Sequence, residues 1–349
     1  MYKLKNFSPS GVNTFRECQI KHFISYGLRY YAQSPWHSTV LGSATHHVFE
    51  LIANAKVLAR DGKKWKKDEI FGRLYANKFP IDKWKQEVYD YYTQGKEGKH
   101  LQWEEKHWID FNQRVDKGLN DDWSVMNIEP KDIVQPELLI DDLPIEKDWA
   151  KPFIDENGTE HKHLNIKGFI DLVFRIDGEL FILDYKTGLN PPKDWSTGRR
   201  KTYAEYLYDL QLNFYYHAAT RYFEEPVTAR IWFLSLKNPI KWELPIDDEY
   251  FEKVIEDVGK DYETLKTMKK PTRSCDTKDG KWSCIRMKCP FAMQTMRDFG
   301  RPDLEVNHSP GRDTFSAIDG KACVCDTIKY FNEFKSLEEI QDNCKPKRK

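Results

Sequence analysis

The stretch IKGFIDLVFRIDGELFILDYKTG, from Ile166 to Gly188, decides the fold of this chain. It predicts two strands joined by a tight turn at Asp177-Gly178, because an Asp-Gly pair accepts positive φ at low cost. Asp171 lies on the first strand, and Asp184 and Lys186 share one face of the second. Burying two carboxylates and an ammonium in so apolar a hairpin is costly unless they pair or bind a metal ion.

Two acids and a lysine suit metal-assisted hydrolysis of a phosphodiester, which needs an activated water and neutralisation of an anionic transition state. Mg²⁺ prefers oxygen ligands and keeps several waters, so Asp171, Asp184 and the carbonyl of Tyr185 are candidate ligands. Lys186 is expected to orient the water or to stabilise the developing charge. A surface ion pair is the ordinary alternative for a D-x-K sequence, and the apolar contexts GFIDLVF and FILDYK argue against it.

The composition, 40% hydrophobic and 32% charged over 349 residues, predicts a soluble chain with one large domain or two ordinary ones. The sequence contains no membrane-length apolar run and no signal-peptide core, so we expect a cytoplasmic protein with no membrane contact. The 55 basic and 55 acidic residues balance, which argues against indiscriminate nucleic-acid coating but leaves room for a local basic groove. Seven cysteines, an odd number, argue against a disulfide framework.

The order of predicted elements indicates an α/β fold with a mixed sheet. Helices come first, the second of them starting near Gly42, and a helical segment rich in Trp and Tyr follows. Its aromatic side chains are interpreted as core, with a base-stacking surface as the alternative. The remaining predictions are strands from Ile133, the hairpin, a helix over Tyr203 to Phe223, a strand over Ala229 to Ser235 and a helix over Glu249 to Met268.

Two further patterns add candidate site residues. Gln211 and Tyr215 are four residues apart, hence on one helix face, and can contact phosphate or base. His46, placed at a predicted helix start, is a candidate metal ligand that Glu50 can support. His47 beside it leaves the choice open at this point, and each residue alone is more often structural.

These motifs together resemble the PD-(D/E)xK nuclease superfamily in its RecB-like exonuclease branch. The branch shows G-x-x-x-H, G-x-x-D, D-x-K and Q-x-x-x-Y, which stand here, in this order, at Gly42 to His46, Gly168 to Asp171, Asp184 to Lys186 and Gln211 to Tyr215. The resemblance covers roughly residues 7 to 295 and leaves the helical insertion unmatched. It implies a restriction-endonuclease-like mixed central sheet flanked by helices. It also implies Mg²⁺ or Mn²⁺ on His46, Asp171 and Asp184, with Lys186 catalytic and Gln211 and Tyr215 at the DNA. It selects His46 over His47.

The cysteines extend the resemblance to the iron–sulfur subgroup, which includes AddB-type and CRISPR-associated RecB-like nucleases. One early and three late cysteines suit a 4Fe-4S cluster: Cys18, Cys275, Cys284 and Cys289. The late cysteines depart from the subgroup, which tends to have a close C-x-x-C pair among them. Zinc fits four thiolates equally well, and unligated buried cysteines are the third alternative. Of the spare cysteines, the Cys323-x-Cys325 pair is a less favoured contributor.

The domain prediction is a nuclease domain over 1–300, with a helical insertion at 53–130, a cysteine-bearing segment at 270–295 and an extension at 301–349. We expect a metal-dependent DNA exonuclease on single-stranded or end-processed DNA, in recombination, repair or DNA processing. Basic residues after the hairpin, Arg199, Arg200 and Lys201, are expected to contact the strand. The sequence lacks a P-loop, so any helicase or recombination motor is a separate partner. The alternatives are a catalytically inactive nucleic-acid-binding or adaptor protein and a structure-specific endonuclease.

Overall fold

Ten strands and eight α-helices are assigned in the computed structural model, which describes residues 6–27, 36–155, 158, 160–188, 199–235 and 239–268. The strands are β1 Asn6–Phe7, β2 Trp65–Asp68, β3 Gly72–Tyr75, β4 Ile133–Pro144, β5 Phe153–Ile154, β6 Glu160–His161, β7 Asn165–Ile176, β8 Glu179–Lys186, β9 Val227–Phe233 and β10 Ile240–Leu244. The helices are α1 Pro9–Glu17, α2 Gln19–His22, α3 His37–Arg60, α4 Ile81–Gln94, α5 Glu105–Leu119, α6 Tyr203–Tyr206, α7 Leu210–Phe223 and α8 Asp248–Thr267.

The chain divides into two compact units that are interleaved along the sequence. The first comprises 1–35, 142–166 and 255–349, and the second comprises 36–141 and 167–254. In the described part of the first unit, Asn6 and Phe7 pair in parallel with Asn165 and Ile166. Arg16 forms an ion pair of 2.6 Å with Asp261 at its rim.

A mixed sheet forms the centre of the second unit. β8 pairs antiparallel with β7 and parallel with β9, while β10 pairs antiparallel with β9 and β4 pairs with β7. Six consecutive residues of the eight in β8 are buried, and β8 has a partner strand on each side. The predicted mixed α/β fold is therefore confirmed.

The predicted hairpin is present, with its turn at Asp177 and Gly178. Both turn residues have positive φ, 52° and 89°, as an Asp-Gly turn between antiparallel strands requires. Its register pairs Leu172 with Leu183, so Asp171 and Asp184 lie just beyond the last residue pair at that end of the hairpin.

Two predicted helix boundaries were wrong. α3 begins at His37 rather than near Gly42, so His46 lies inside the helix and not at its start. The predicted helix over Tyr203 to Phe223 is two helices, because Asp209 caps a new helix by accepting from the N–H groups of Gln211 and Leu212.

The segment between α3 and β4 packs against α3 through an apolar cluster. Its helices α4 and α5 contribute Trp84, Val88, Phe111 and Val115, all buried. The aromatic residues Trp84 and Phe111 therefore belong to the core, as their helical spacing favoured. A hairpin of β2 and β3, which was not predicted, lies in the same segment. None of the described helices is both long and apolar enough to span a bilayer.

Candidate active site

Helix α3 and the β7–β8 hairpin bring His46 and Asp171 into contact. The Nδ1 atom of His46 lies 3.0 Å from Oδ1 of Asp171. The second oxygen of Asp171 accepts a 2.7 Å hydrogen bond from the backbone N–H of Tyr185. The carboxylate is thus held between the helix and the neighbouring strand. Of the two adjacent histidines, His47 instead contacts the hydroxyl of Tyr92, at 3.1 Å.

A second group of contacts joins β8 to helix α7. The ammonium of Lys186 lies 2.7 Å from Oδ2 of Asp184 and donates a 2.7 Å hydrogen bond to Oε1 of Gln211. The Nε2 group of Gln211 donates to Oδ1 of Asp184, at 3.1 Å, and to the hydroxyl of Tyr215, at 2.8 Å. The D-x-K and Q-x-x-x-Y residues therefore form one connected network.

Burial and neighbouring charges shift the pKa values of Asp184 and Asp171 in opposite directions. Asp184 is only 3% exposed, and this burial, with the charge of Asp171, raises its pKa to about 6 against the opposing effect of Lys186. Burial also acts to raise the pKa of Asp171, but His46 and the Tyr185 N–H outweigh it and hold that pKa below its usual value. For Lys186, burial acts to lower the pKa, and Asp184 overcomes this and raises it. Lys186 is therefore a cation and Asp171 an anion near neutral pH.

Two glycines permit close approaches in this region. A Cβ on Gly168 would lie 2.6 Å from Cε1 of Tyr215, and a Cβ on Gly42 would lie 2.7 Å from Oγ1 of Thr187. Both distances are too short for a real contact, so any larger residue would displace the neighbouring side chain. The glycines of the G-x-x-D and G-x-x-x-H patterns therefore have a packing role.

A cavity of about 510 Å³ opens over these groups. His46, Asp171, Tyr185 and Lys186 line one part of it. Hydroxyl-bearing residues of α3 line another part: Ser38, Thr39 and Ser43. The volume is within the range of small-molecule sites, so a nucleotide-sized group can reach the lysine and Asp171.

Glu137 of β4 is a cavity residue that was not predicted. It forms a carboxyl pair with Glu50 of α3, and both line the cavity. Burial and the charge of Glu137 raise the pKa of Glu50 to about 7. Glu137 has a φ of +44°, a backbone conformation that is uncommon outside glycine and that marks the position as unusual. No local motif in the sequence indicated that β4 reaches the cavity.

Arg114 of α5 is a second residue that was missed. Its Nη1 group donates to the backbone carbonyl of Thr187, the residue directly after Lys186. Asp110, one turn earlier on α5, holds the guanidinium through an ion pair of 3.0 Å. A helix of the segment between α3 and β4 therefore fixes the end of the strand that carries Lys186.

The donor groups suit a divalent cation, although no cluster of three or more His, Cys, Asp or Glu side chains is arranged for a metal within the described ranges. Oδ2 of Asp184 is buried against the ammonium of Lys186, at 2.7 Å, and accepts no other hydrogen bond among the described residues. Asp171, Asp184 and the Tyr185 carbonyl are hard oxygen donors of the kind that Mg²⁺ and Mn²⁺ prefer. The imidazole of His46 is a nitrogen donor beside this set, since its Nδ1 atom lies 3.0 Å from Asp171.

The remaining predicted residues are placed as follows. Contact between Tyr215 and DNA stays a prediction. The burial of this side chain, which is only 5% exposed, argues against it. Arg199, Arg200 and Lys201 are exposed, and Arg199 pairs with Glu205 at 2.6 Å. Cys18 is half-buried directly after α1. The other predicted cluster ligands lie outside the described residues: Cys275, Cys284 and Cys289.

Comparison with known proteins gives one family. The sequence profile of the PD-(D/E)XK nuclease superfamily matches residues 6–294. No curated protein matches the chain. Among solved structures, the chain is similar to a "Putative exonuclease" from Eubacterium rectale, with 13% identity, a TM-score of 0.44, and coverage of 79% of this chain and 87% of that one. A TM-score below 0.5 is too low for that likeness to indicate a shared activity.

Proposed function

This chain belongs to the PD-(D/E)XK nuclease superfamily, and we propose that it is a metal-dependent DNA exonuclease of the RecB-like branch, active on single-stranded or end-processed DNA. The observation that carries the proposal is the connected network of Asp184, Lys186 and Gln211 beside the Asp171–His46 pair. It puts a fixed cation and an anchored carboxylate at one cavity, with the buried carboxylate of Asp184 against the cation. Recombination, repair or DNA processing is the matching biological setting.

The chain's own residues divide the catalytic work. Asp171, Asp184, His46 and the Tyr185 carbonyl would hold Mg²⁺ or Mn²⁺, which when bound supplies an activated water and neutralises charge on the phosphate. Lys186, held by Asp184 and Gln211, presents a fixed ammonium to the cavity. It stabilises the negative charge that develops on the phosphate oxygens, without reorganisation during the reaction.

The supporting residues keep that lysine in one orientation. Gln211 bonds to both members of the Asp184–Lys186 pair, and the hydroxyl of Tyr215 takes its remaining amide hydrogen. The ammonium of a lysine is carried on a flexible four-carbon chain. Partners that hold this chain in one conformation reduce the conformational entropy that is lost when the ammonium contacts substrate. Gln211 and Tyr215 are thus proposed as positioning residues first, and DNA contact by Gln211 is secondary.

The iron–sulfur subgroup forms part of the proposal. Four thiolates, from Cys18 near the start of the chain and Cys275, Cys284 and Cys289 near its end, match a 4Fe-4S cluster in ligand number, with zinc as the alternative. Iron and acid-labile sulfide in anaerobically purified protein, absent from Cys18→Ser, would support the cluster. Stoichiometric zinc without sulfide would contradict it.

The nuclease proposal is tested with end-labelled linear DNA in Mg²⁺ or Mn²⁺. We expect wild-type protein to degrade the strand, and Asp184→Asn and Lys186→Met to lose activity by at least about a thousandfold while remaining folded. Lys83→Met is the matched control, because Lys83 lies on the exposed surface of α4. Full activity in Lys186→Met, or no degradation by wild type, would refute the proposal.

The alternatives are separated by the form of the substrate. Circular single-stranded DNA has no end, so an exonuclease leaves it intact and an endonuclease linearises it. An inactive nucleic-acid-binding protein would bind both forms and cut neither.

A further inference from the structure

We propose that the β2–β3 hairpin is a second nucleic-acid contact, which holds single-stranded DNA by base stacking on Trp65 and Tyr75 and by phosphate contacts from the basic side chains around them. The proposal adds a binding surface to the nuclease function proposed above. It rests on the register of the hairpin, the exposure of the two rings and the local charge.

The register places four side chains on one solvent face of the hairpin. Trp65 is paired with Tyr75, and Lys67 is paired with Arg73. These four residues, which we call the outer face, are all exposed, and both rings are more than two-fifths exposed, at 45% and 42%. Leu74, which points the other way, is buried in the core cluster. The outer face therefore consists only of two aromatic and two basic side chains.

Cations already lie against both rings. The guanidinium carbon of Arg73 is 4.4 Å from the centroid of the Trp65 ring, and the ammonium of Lys78 is 5.3 Å from that of Tyr75. Such contacts are a weak attraction between the cation and the ring face. A guanidinium stacked on an aromatic ring gives a broad flat surface of the kind on which unpaired bases stack.

The charge around this face is strongly positive, although the chain as a whole is neutral. Residues 63–78 contain six basic side chains and two acidic ones. One acid, Asp68, is used within the turn, where its Oδ1 accepts from the N–H groups of Ile70 and Phe71. Lys64, Lys67 and Lys78 have no ion pair within the described part of the chain. These ammonium groups, which no carboxylate of the described residues holds, suit a phosphate backbone.

The hairpin is anchored, and it adjoins the candidate active site. A two-stranded hairpin is only marginally stable alone, and here Leu74 and Phe71 hold it against the core, with the ring of Phe71 6.1 Å from that of Trp84. Lys66, on the inner face, is near enough to the cavity residues Glu50 and Glu137 to oppose the burial that raises their pKa. The inner face of the hairpin, opposite the two rings, therefore lies near the cavity.

Single-stranded DNA is the favoured partner because both the exposed rings and the basic side chains of the hairpin suit it. Bases in a duplex are stacked on one another, so their faces are not available to exposed rings, whereas the bases of a single strand are. Two rings supply little apolar area for a protein interface or a bilayer. The base-stacking alternative for this aromatic segment is therefore applied to the hairpin, whereas Trp84 and Phe111 of the helices lie in the core.

The test is binding of fluorescein-labelled oligothymidine of about 20 nucleotides, and of a duplex of equal length, to the full chain in EDTA. We expect the double variant Trp65→Ala/Tyr75→Ala to raise Kd for the single strand at least about tenfold and to change that for the duplex less than roughly twofold. Tyr222→Ala is the matched control, because this tyrosine of α7 is 69% exposed.

The salt dependence of Kd separates the contribution of base stacking from that of phosphate contacts. Lys67→Ala/Arg73→Ala should reduce the slope of log Kd against log salt by about 1.4, because each phosphate that a basic side chain neutralises accounts for about 0.7. The aromatic variant should leave the slope unchanged. Single-strand affinity of the aromatic variant within roughly twofold of wild type overturns the proposal. An equal weakening for duplex, or tighter binding of an RNA oligomer than of DNA, overturns it as well.

The hairpin and nuclease proposals fail separately. Lys186→Met should abolish cleavage and keep single-strand binding, whereas the aromatic variant should keep cleavage at saturating DNA. Wild-type protein that binds the oligomer without cutting it refutes the nuclease function and leaves the hairpin supported.

Discussion

Gln211 is the residue on which the proposed catalytic lysine depends. It is the side chain that contacts Lys186, Asp184 and Tyr215 together, so its removal should leave the ammonium free to adopt other rotamers. We predict that Gln211→Leu lowers kcat about 10- to 100-fold, the usual effect of losing a supporting residue, with little change in KM. Tyr215→Phe, which removes one partner of Gln211, should lose much less. A rise in KM with unchanged kcat would instead assign Gln211 to substrate binding.

Gly168 is predicted to be intolerant of substitution because of its neighbour. An alanine Cβ there would meet the ring of Tyr215 at 2.6 Å, which forces the ring to move. We expect Gly168→Ala to cost about 1–3 kcal/mol in the free energy of unfolding and to lower kcat by displacing the partner of Gln211. Gly188→Ala is the control, since a Cβ there meets nothing within 4 Å. Equal stability of the two variants in urea unfolding would contradict the packing role.

At the residue scale, the sequence predicted those contacts that depend on the strand period or on the spacing of residues along a helix. Alternation along the strand put Asp184 and Lys186 on one face, and their side chains do pair. Glu137 and Arg114 were beyond prediction because each reaches the site from an element far away in sequence. Arg114 in particular binds a backbone carbonyl, which leaves no complementary residue type to find.

The start of α7 is the element that aligns Gln211, and Asp209 is its cap. The Asp209 carboxylate accepts from the backbone N–H groups of Gln211, at 3.0 Å, and Leu212, at 3.2 Å. We predict that Asp209→Ala costs about 1 kcal/mol of stability and lowers kcat, because the first turn that carries Gln211 frays. Asp209→Asn should retain most of both, since Asn caps equally well. A loss of kcat in both variants alike would indicate that the charge of Asp209 matters rather than the cap.

At the element scale, a strong hydrophobic pattern was sufficient to predict a helix or strand from the sequence, and a weak pattern was not. The β7–β8 hairpin was predictable because an Asp-Gly turn separates two apolar runs. The break between α6 and α7 was missed because YAEYLYDLQLNFYY reads as one apolar helix, and the capping role of Asp209 outweighs that pattern. The β2–β3 hairpin was missed because its outer face is polar and aromatic, so that only Leu74 marks its buried side.

At the scale of the whole chain, the net charge does not show where basic and acidic side chains are concentrated. A neutral sequence shows no general attraction to nucleic acid, yet the hairpin and its flanks concentrate basic side chains. Meanwhile the candidate active site contains carboxylates that repel a phosphate backbone unless a cation is present. If the hairpin binds a single strand as proposed, its basic side chains would supply the attraction that these carboxylates do not.

Stability against acid is predicted to depend on a buried histidine in the first unit. His22 packs between Phe15 and Tyr26, with ring centroids at 5.3 and 4.7 Å, and this burial lowers its pKa from 6.5 to about 3. Between these values the unfolded chain binds the proton and the folded chain does not, so stability is lost as the pH falls below 6.5. The loss from pH 7 to pH 5 should be about 2 kcal/mol from this residue.

His22→Gln removes that contribution because glutamine does not titrate. We expect its free energy of unfolding, measured by urea denaturation, to fall less steeply between about pH 7 and about pH 5 than that of wild type, whatever its stability at neutral pH. Parallel pH profiles for His22→Gln and wild type would mean that His22 is already charged in the folded protein, at odds with its burial between two rings.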